Sequence, residues 1–440
     1  MDLHGARGGR RPPARGFPRL HDHARLVRRA VVTRRIHARP ARPLRRGGHR
    51  GSGAPPPQRR VRSGGEPPSR PQGHPRHAAW RSGMSLRAAL LGAAGYGGSG
   101  LMRRLLRHPN VAEVRAASRS YAGRPLQDAW PHLAGLHGSD SSLFVSPEEA
   151  LEGADVAFLA TPHGATAPWV RAARATGARV VDLSADSRLD ATTYERWYGP
   201  HPHPGDLDDA RYGLVEAHRA ELRGAAIVAA PGCNATAVSL ALLPFAASGA
   251  LDRATIPVCT VLAGASGAGR APALGLHFAE LAENVRPYKV AGTHRHLAEI
   301  EATLGRAAVQ GRSLTTRPTP EPWRISFTPH LVPTIRGILA TCTFSVTTTR
   351  TTEGWLEMLR DAYANDPLVH VQEALPDMKA VQGTDRALLS ARVDARTGLV
   401  SSFAAIDNLG KGAAGQAVQG FNVAFGFPET TALELEAVWP

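Results

Sequence analysis

Apolar positions follow no helical or strand period through residues 1–83, and from Leu86 onward short apolar runs alternate with amphipathic stretches. Residues 86–93, 111–118, 155–161, 179–183 and 226–230 read as buried strands. Leu101, Met102, Leu105 and Leu106 make a helical stripe stopped by Pro109, and residues 146–152 and 165–176 fit further helices. This alternation predicts an α/β domain built on a parallel, doubly wound sheet. Residues 237–247 are apolar all round and read as a buried helix. Beyond Leu251 the strands lengthen and grow rich in Thr and Val, at 256–262, 323–328, 338–349 and 387–394. They predict a second, α+β domain with a mostly antiparallel sheet. Residues 311–322, with their Thr and Pro, read as a loop.

Composition divides the chain at the same place as the pattern. The 440 residues carry a formal charge of +16, yet residues 1–83 hold 21 Arg and three acids, Asp2, Asp22 and Glu66. That segment stands at +18 and leaves −2 for residues 84–440. With 12 Pro and 12 Gly it cannot bury enough surface to offset chain entropy and is expected to be disordered. It lacks the apolar core of a secretory signal, and its four serines and many helix breakers do not fit a transit peptide. The expectation is that Met84 is the true start. A competing reading from another class takes the Arg-rich arm as a nucleic-acid binder, which predicts salt-sensitive binding lost on truncation to Met84. No run of eighteen apolar residues exists to span a membrane. Cys259 and Cys342 sit in strand-like runs as core thiols, and no Cys/His metal spacing occurs. No metal site and a reducing, cytoplasmic location are expected.

Chemistry concentrates in six places. Gly92, Gly95, Tyr96, Gly97 and Gly98 form a turn between the first strand and helix, where glycines let the backbone approach a pyrophosphate. The second strand ends in Ser118-Arg119-Ser120, an arginine among hydroxyls where a ribose-binding acid would otherwise stand. This favours the 2′-phosphate of NADPH. Cys233 lies in Pro231-Gly-Cys-Asn234 at a strand–helix junction, where the helix dipole stabilises a thiolate. Gly292-Thr-His294-Arg-His296, with Arg286 and Lys289, is a basic cluster whose imidazoles could pair with a thiolate. Ser266-Gly267-Ala-Gly269-Arg270 could form an anion nest. Asp407-Asn408 begins a Gly/Ala-rich helical stretch, and a plain helix cap explains it as well as a cofactor contact does.

From about Leu86 to its end the chain resembles the N-acyl-γ-glutamyl-phosphate reductases, within the aspartate-semialdehyde-dehydrogenase-like superfamily. The shared marks, in order, are Gly95-Tyr-Gly-Gly98, Pro162-His-Gly164, Asp182-Leu-Ser-Ala-Asp186-Ser-Arg188-Leu, Pro231-Gly-Cys233, Ser266-Gly-Ala-Gly269, Gly292-Thr-His-Arg-His296, Arg336-Gly-Ile338 and Ala405-Ile-Asp-Asn-Leu-Gly-Lys-Gly412. The resemblance implies a Rossmann-type NADP-binding domain at 84–232, a catalytic domain at 233–412 and a C-terminal return at 413–440. It also implies a homo-oligomer, a dimer or tetramer, without nucleic-acid or membrane partners. By the same resemblance Cys233 attacks an acyl phosphate and NADPH reduces the resulting thioester, with His294 as acid/base partner and the nicotinamide near Asn408. Asn234, Ser266, Gly267, Arg270 and His296 are then expected around the substrate. Asn234-Ala235 stands where arginine-pathway members usually carry Tyr-Pro, and this form resembles the lysine-biosynthetic branch. That branch reduces aminoadipyl 6-phosphate on a small acidic amino-group carrier protein, which the basic cluster would suit. N-acetylglutamyl 5-phosphate, in arginine synthesis, is the alternative. Two further departures are Gly100, where a glutamate is common, and Ser187, where Phe is usual.

Overall fold

The computed structural model describes residues 32–33, 85–135, 142–310 and 323–438. The rest of the basic segment and residues 311–322, read as a loop, lie outside them. The first domain runs β1 (Leu86–Leu91), α1 (Tyr96–Leu105), β2 (Val111–Ala117), α2 (Pro147–Leu151), β3 (Val156–Leu159), α3 (Ala167–Ala175) and β4 (Arg179–Asp182). It continues through α4 (Ala191–Tyr198), β5 (Ala210–Tyr212), α5 (Val215–Leu222) and β6 (Ile227–Ala229). These strands lie in the order β2-β1-β3-β4-β6-β5 and pair in parallel throughout. Val32–Thr33 adds an antiparallel edge pair against Val114 and Glu113. Ser146 starts α2 with a capping box to Glu149, which is how a five-residue helix is held.

The second domain opens with α6 (Cys233–Ala247) and continues through β7 (Val258–Gly264), α7 (His296–Gln310), β8 (Ser326–Val332), β9 (Ile338–Phe344) and α8 (Thr352–Ala362). β10 (Val369–Val371), β11 (Ala387–Val393) and β12 (Val400–Ile406) complete it, and α9 (Gly415–Phe425) follows. Its sheet runs β10-β11-β12-β9-β7-β8, closed by the two-residue strand Arg286–Pro287. Four neighbouring pairs are antiparallel, and β7–β8 and β10–β11 are parallel, so the sheet is mixed with an antiparallel majority. Strand 338–349 stops at Phe344, and the strand expected at 323–328 lies at 326–332. The buried helix extends four residues further back than its apolar pattern, to Cys233. It shares a core with α7 and the sheet, and Phe245 packs edge-on against Phe344 at 4.8 Å.

After β12 the chain returns to the first domain. Phe421 of α9 meets Phe158 of β3 edge-on at 5.3 Å, inside the core that also holds Leu90 and Val228. Buried ion pairs cross the same boundary: Arg104 with Asp385, and Lys411 with Glu216 at 2.5 Å. Among the described residues no helix is long and apolar enough to cross a membrane.

Candidate functional site

The carboxyl ends of the parallel strands open onto a cleft of 1120 Å³, the usual place for a ligand in such sheets. The turn after β7 and Asn408 build the facing wall. Gly92, at φ 77°, leaves β1 so close to β3 that a Cβ would overlap the Ala160 carbonyl. Gly95 caps α1 with no side-chain bond, and no acid stands in the first turn, so that helix end offers N–H groups to an anion. Gly92, Gly95, Tyr96 and Gly97 line the cleft, as do Ser118 and Arg119 at the end of β2. Gly98 does not. It is buried against the Ala93 backbone, which a Cβ would approach to 2.6 Å, so it serves strand–helix packing instead of the cofactor contact expected of it. Arg119 is exposed, with its guanidinium 5.8 Å from the Trp169 ring centre. Arg119, Arg188 and Arg270 line the cleft and, among the described residues, no Asp or Glu does, a field suited to a ligand of several negative charges. The glycine turn and this arginine fit a dinucleotide with a 2′-phosphate.

Cys233 lies in the cleft as the first residue of α6, preceded by Gly232, which caps the helix with no side-chain bond. Gly412 presses against it, since a Cβ there would come 2.8 Å from the Cys233 Cβ. Burial pushes the thiol up to about 11, against the opposite pull of the Asn234 N–H and Arg188. The helix end therefore does not by itself supply the thiolate expected there, because desolvation outweighs it.

Two imidazoles line the cleft, His163 and His296, and His294 is not among the lining residues. His163 Nδ1 accepts the Ala185 N–H at 2.9 Å, whereas His296 lies against Gly232, the residue before Cys233. His296 packs on Gly232 so tightly that a Cβ on the glycine would overlap its Nε2, and its Nδ1 is buried without a hydrogen-bond partner. Burial, then Arg188, holds it well below the ordinary histidine range. His294 turns the other way. Its Nδ1 accepts the His296 N–H at 3.1 Å, its ring lies 5.2 Å from Phe327, and burial, then His296, lowers it to about 3. The acid/base position expected of His294 thus belongs geometrically to His296, because α7 begins at His296 and faces it toward Gly232.

Other expected contacts divide. Ser266, Gly267, Arg270 and Asn408 line the cleft. Asn408 donates to Ser266 Oγ at 2.9 Å and accepts from Gly337 N–H at 2.8 Å, fixing the loop after β7. Arg270 donates to Ala94 O at 2.9 Å and stacks on Trp130. Asp407 is fully buried and accepts from Arg336 and from the N–H groups of Leu409 and Gly410, a capping role. Asn234 lies outside the cleft lining; its Nδ2 is 3.4 Å from Tyr288 Oη and its Oδ1 is buried without a partner. The basic cluster does not converge: Arg286 donates to Gly275 O, and Arg295 stacks over Tyr198 at 4.6 Å. Arg188, Glu299 and Tyr212 form a buried network behind Cys233 that no role was assigned to from sequence. Arg188 is legible only as part of the Asp182–Leu189 motif and Glu299 only as the acid after the His294-Arg-His296 cluster, whereas Tyr212 carries no signal.

Two family models match, described as the NAD-binding domain of semialdehyde dehydrogenase over residues 87–225 and its dimerisation domain over 233–408. The N-acetyl-gamma-glutamyl-phosphate reductase of Thermus thermophilus is 49% identical over 352 residues, 80% of this chain and 99% of its own length. That of Symbiobacterium thermophilum is 44% identical over 357 residues, 80% of this chain and 98% of its own. Among solved structures, aspartate semialdehyde dehydrogenase II of Vibrio cholerae superposes with a TM-score of 0.56 at 18% identity, covering 77% of this chain and 98% of that one. Aspartate semialdehyde dehydrogenase with NADP from Candida albicans gives 0.57 at 18%, again covering 77% and 98%.

Proposed function

The chain belongs to the N-acetyl-gamma-glutamyl-phosphate reductase family of NAD(P)-binding semialdehyde dehydrogenases, and on that premise we propose that it reduces N-acetyl-L-glutamyl 5-phosphate to the semialdehyde with NADPH. The observation that carries this is a single carboxylate-free cleft joining the glycine turn and Arg119 to Cys233 and His296.

His296 takes the Cys233 proton, and the sulfur attacks the acyl carbon while the carbon–oxygen bond to phosphate breaks and inorganic phosphate leaves. The Gly92–Gly97 turn and Arg119 would hold the dinucleotide, whose chemistry when bound would be hydride donation to the thioester carbon. His296 returns its proton as the carbon–sulfur bond breaks, freeing the aldehyde and the thiol. First-turn N–H groups of α6, uncapped by any side chain, would stabilise developing oxyanion charge.

Carrier-linked aminoadipyl phosphate is the second substrate to compare. The relatives' names favour the glutamyl substrate, and Asn234 and the dispersed basic residues lie away from the cleft or from one another. The dimerisation-domain description over 233–408 supports a homo-oligomer. The test is NADPH oxidation by the full chain with each acyl phosphate. Preferred turnover of the glutamyl substrate is expected, with Cys233→Ala losing more than about a thousandfold. Faster turnover of the carrier-linked substrate would move the assignment to the lysine branch, and an active Cys233→Ala would end the covalent mechanism.

A further inference from the structure

Behind the cleft, one buried carboxylate ties the nucleophile's loop to the imidazole's helix. Glu299 lies one turn after His296 on α7 and is 2% exposed. Its Oε2 accepts the Gly232 N–H at 2.8 Å and the Tyr212 hydroxyl at 2.9 Å, and its Oε1 accepts Arg188 Nη1 at 3.0 Å. Arg188 in turn donates to Ala230 O at 2.8 Å and Leu183 O at 2.7 Å, the carbonyls that follow β6 and β4. Gly232 is the residue on which His296 packs and the cap from which Cys233 starts α6.

We propose that Glu299 is a positioning residue for this reaction, setting the distance between the Cys233 thiol and the His296 ring and offsetting the Arg188 charge beside them. The proposal rests on the covalent reductase reading above. Its geometric content is that α7 cannot shift along α6 without breaking the Gly232 bond. Its electrostatic content concerns the groups facing the thiol: Arg188, Glu299, His296 and Tyr288. Arg188 favours the thiolate and Glu299 opposes it, so an uncharged residue at 299 leaves Arg188 unopposed and eases ionisation. A more acidic thiol coupled to slower catalysis separates positioning from activation by charge, provided the melting temperature is unchanged, because a looser fold would relieve burial and make the thiol more acidic as well.

The experiment compares Glu299→Gln with the milder Tyr212→Phe, which keeps the charge and removes one donor, in the full chain. Iodoacetamide alkylation of Cys233 is followed against pH, and steady-state turnover is measured with N-acetylglutamyl phosphate and NADPH. For Glu299→Gln the alkylation midpoint should fall by about one pH unit and kcat by tenfold or more, with KM for NADPH within about threefold. Tyr212→Phe should lower kcat less and hold the midpoint near that of the parent. An unchanged or raised midpoint in folded Glu299→Gln, or full kcat, would overturn the proposal. If Glu299→Gln does not fold, a Tyr212→Phe protein with unchanged kcat overturns it instead. A parent protein inactive on the acyl phosphate would sink the substrate assignment, and the alkylation arm, which needs no substrate, would still decide this one.

Discussion

A thiol that burial pushes up to about 11 must lose its proton to a neighbour before it can attack at neutral pH, and of the two imidazoles in the cleft His296 is the one packed on Gly232, beside Cys233. Because burial holds His296 well below the ordinary histidine value, its ring is neutral across the physiological range and is a weak base, which takes the thiol proton only as the sulfur attacks. Replacing it with Asn should lower kcat by at least about a hundredfold, within the usual worth of a general base. His294→Asn should cost far less, since His294 lies off the cleft and caps the His296 N–H. Steady-state rates of the two variants, side by side, decide between the rings. His294 has its own signature in stability. It sits at about 3 in the fold against about 6.5 in an unfolded chain, so the unfolded state binds the extra proton first. Its stabilisation is complete above pH 6.5 and declines as pH falls from there toward 3. Melting temperatures of the parent should drop across that window, and His294→Asn should flatten the slope. The sequence made Cys233 legible because Pro-Gly before it and small residues after it announce a strand–helix junction. It could not separate two histidines two residues apart, because which ring faces inward depends on where α7 starts.

At the scale of elements, the glycine turn shows that one motif holds two kinds of glycine. A Cβ on Gly97 would meet only ordinary contacts, 3.8 Å from Leu183 and 3.9 Å from Ala160, yet Gly97 lines the cleft. A Cβ on Gly98 would come within 2.6 Å of the Ala93 backbone. Gly97→Ala should therefore keep its melting temperature and lose NADPH affinity, read as a raised KM. Gly98→Ala should lose stability by about 1–3 kcal/mol, the cost of overpacking a close contact. Calorimetry and cofactor titration on the pair test the division. Sequence spacing alone gave both the same role, since the close approach of β1 to α1 is a tertiary fact. Gly100 follows the same logic. A helix-propensity argument marks it as a weak start for α1, but a Cβ there would stand 2.9 Å from Ala414, so the returning chain requires a small residue. Strand alternation and the two-domain order were legible because each strand is buried on both faces or on one. Boundaries drifted where turns and not apolarity end a strand, as at Phe344.

At the scale of the molecule, the excess positive charge and the chemistry occupy different parts of the chain. Every residue argued to bind or react lies between Gly92 and Gly412, in the portion that carries −2. The Arg104–Asp385 and Lys411–Glu216 pairs and the Phe421–Phe158 contact join the two domains from inside that same portion. Among the described residues, the first 83 contribute one pairing, Val32–Thr33 against the outer edge of β2, and neither of these two lines the cleft. Positive charge that does bear on the cleft is local, at Arg119, Arg188 and Arg270, where no carboxylate competes for a phosphate. Deleting residues 2–83 should therefore leave kcat and both KM values within about twofold, while net charge changes from strongly positive to near neutral. Any binding of the full chain to DNA should weaken steeply with salt and disappear on deletion, since it would rest on counterion release by the arginines. Turnover of the truncated chain, with DNA binding measured at two salt concentrations, tests both halves. A loss of turnover beyond tenfold would show that the basic segment supports the fold or the cleft.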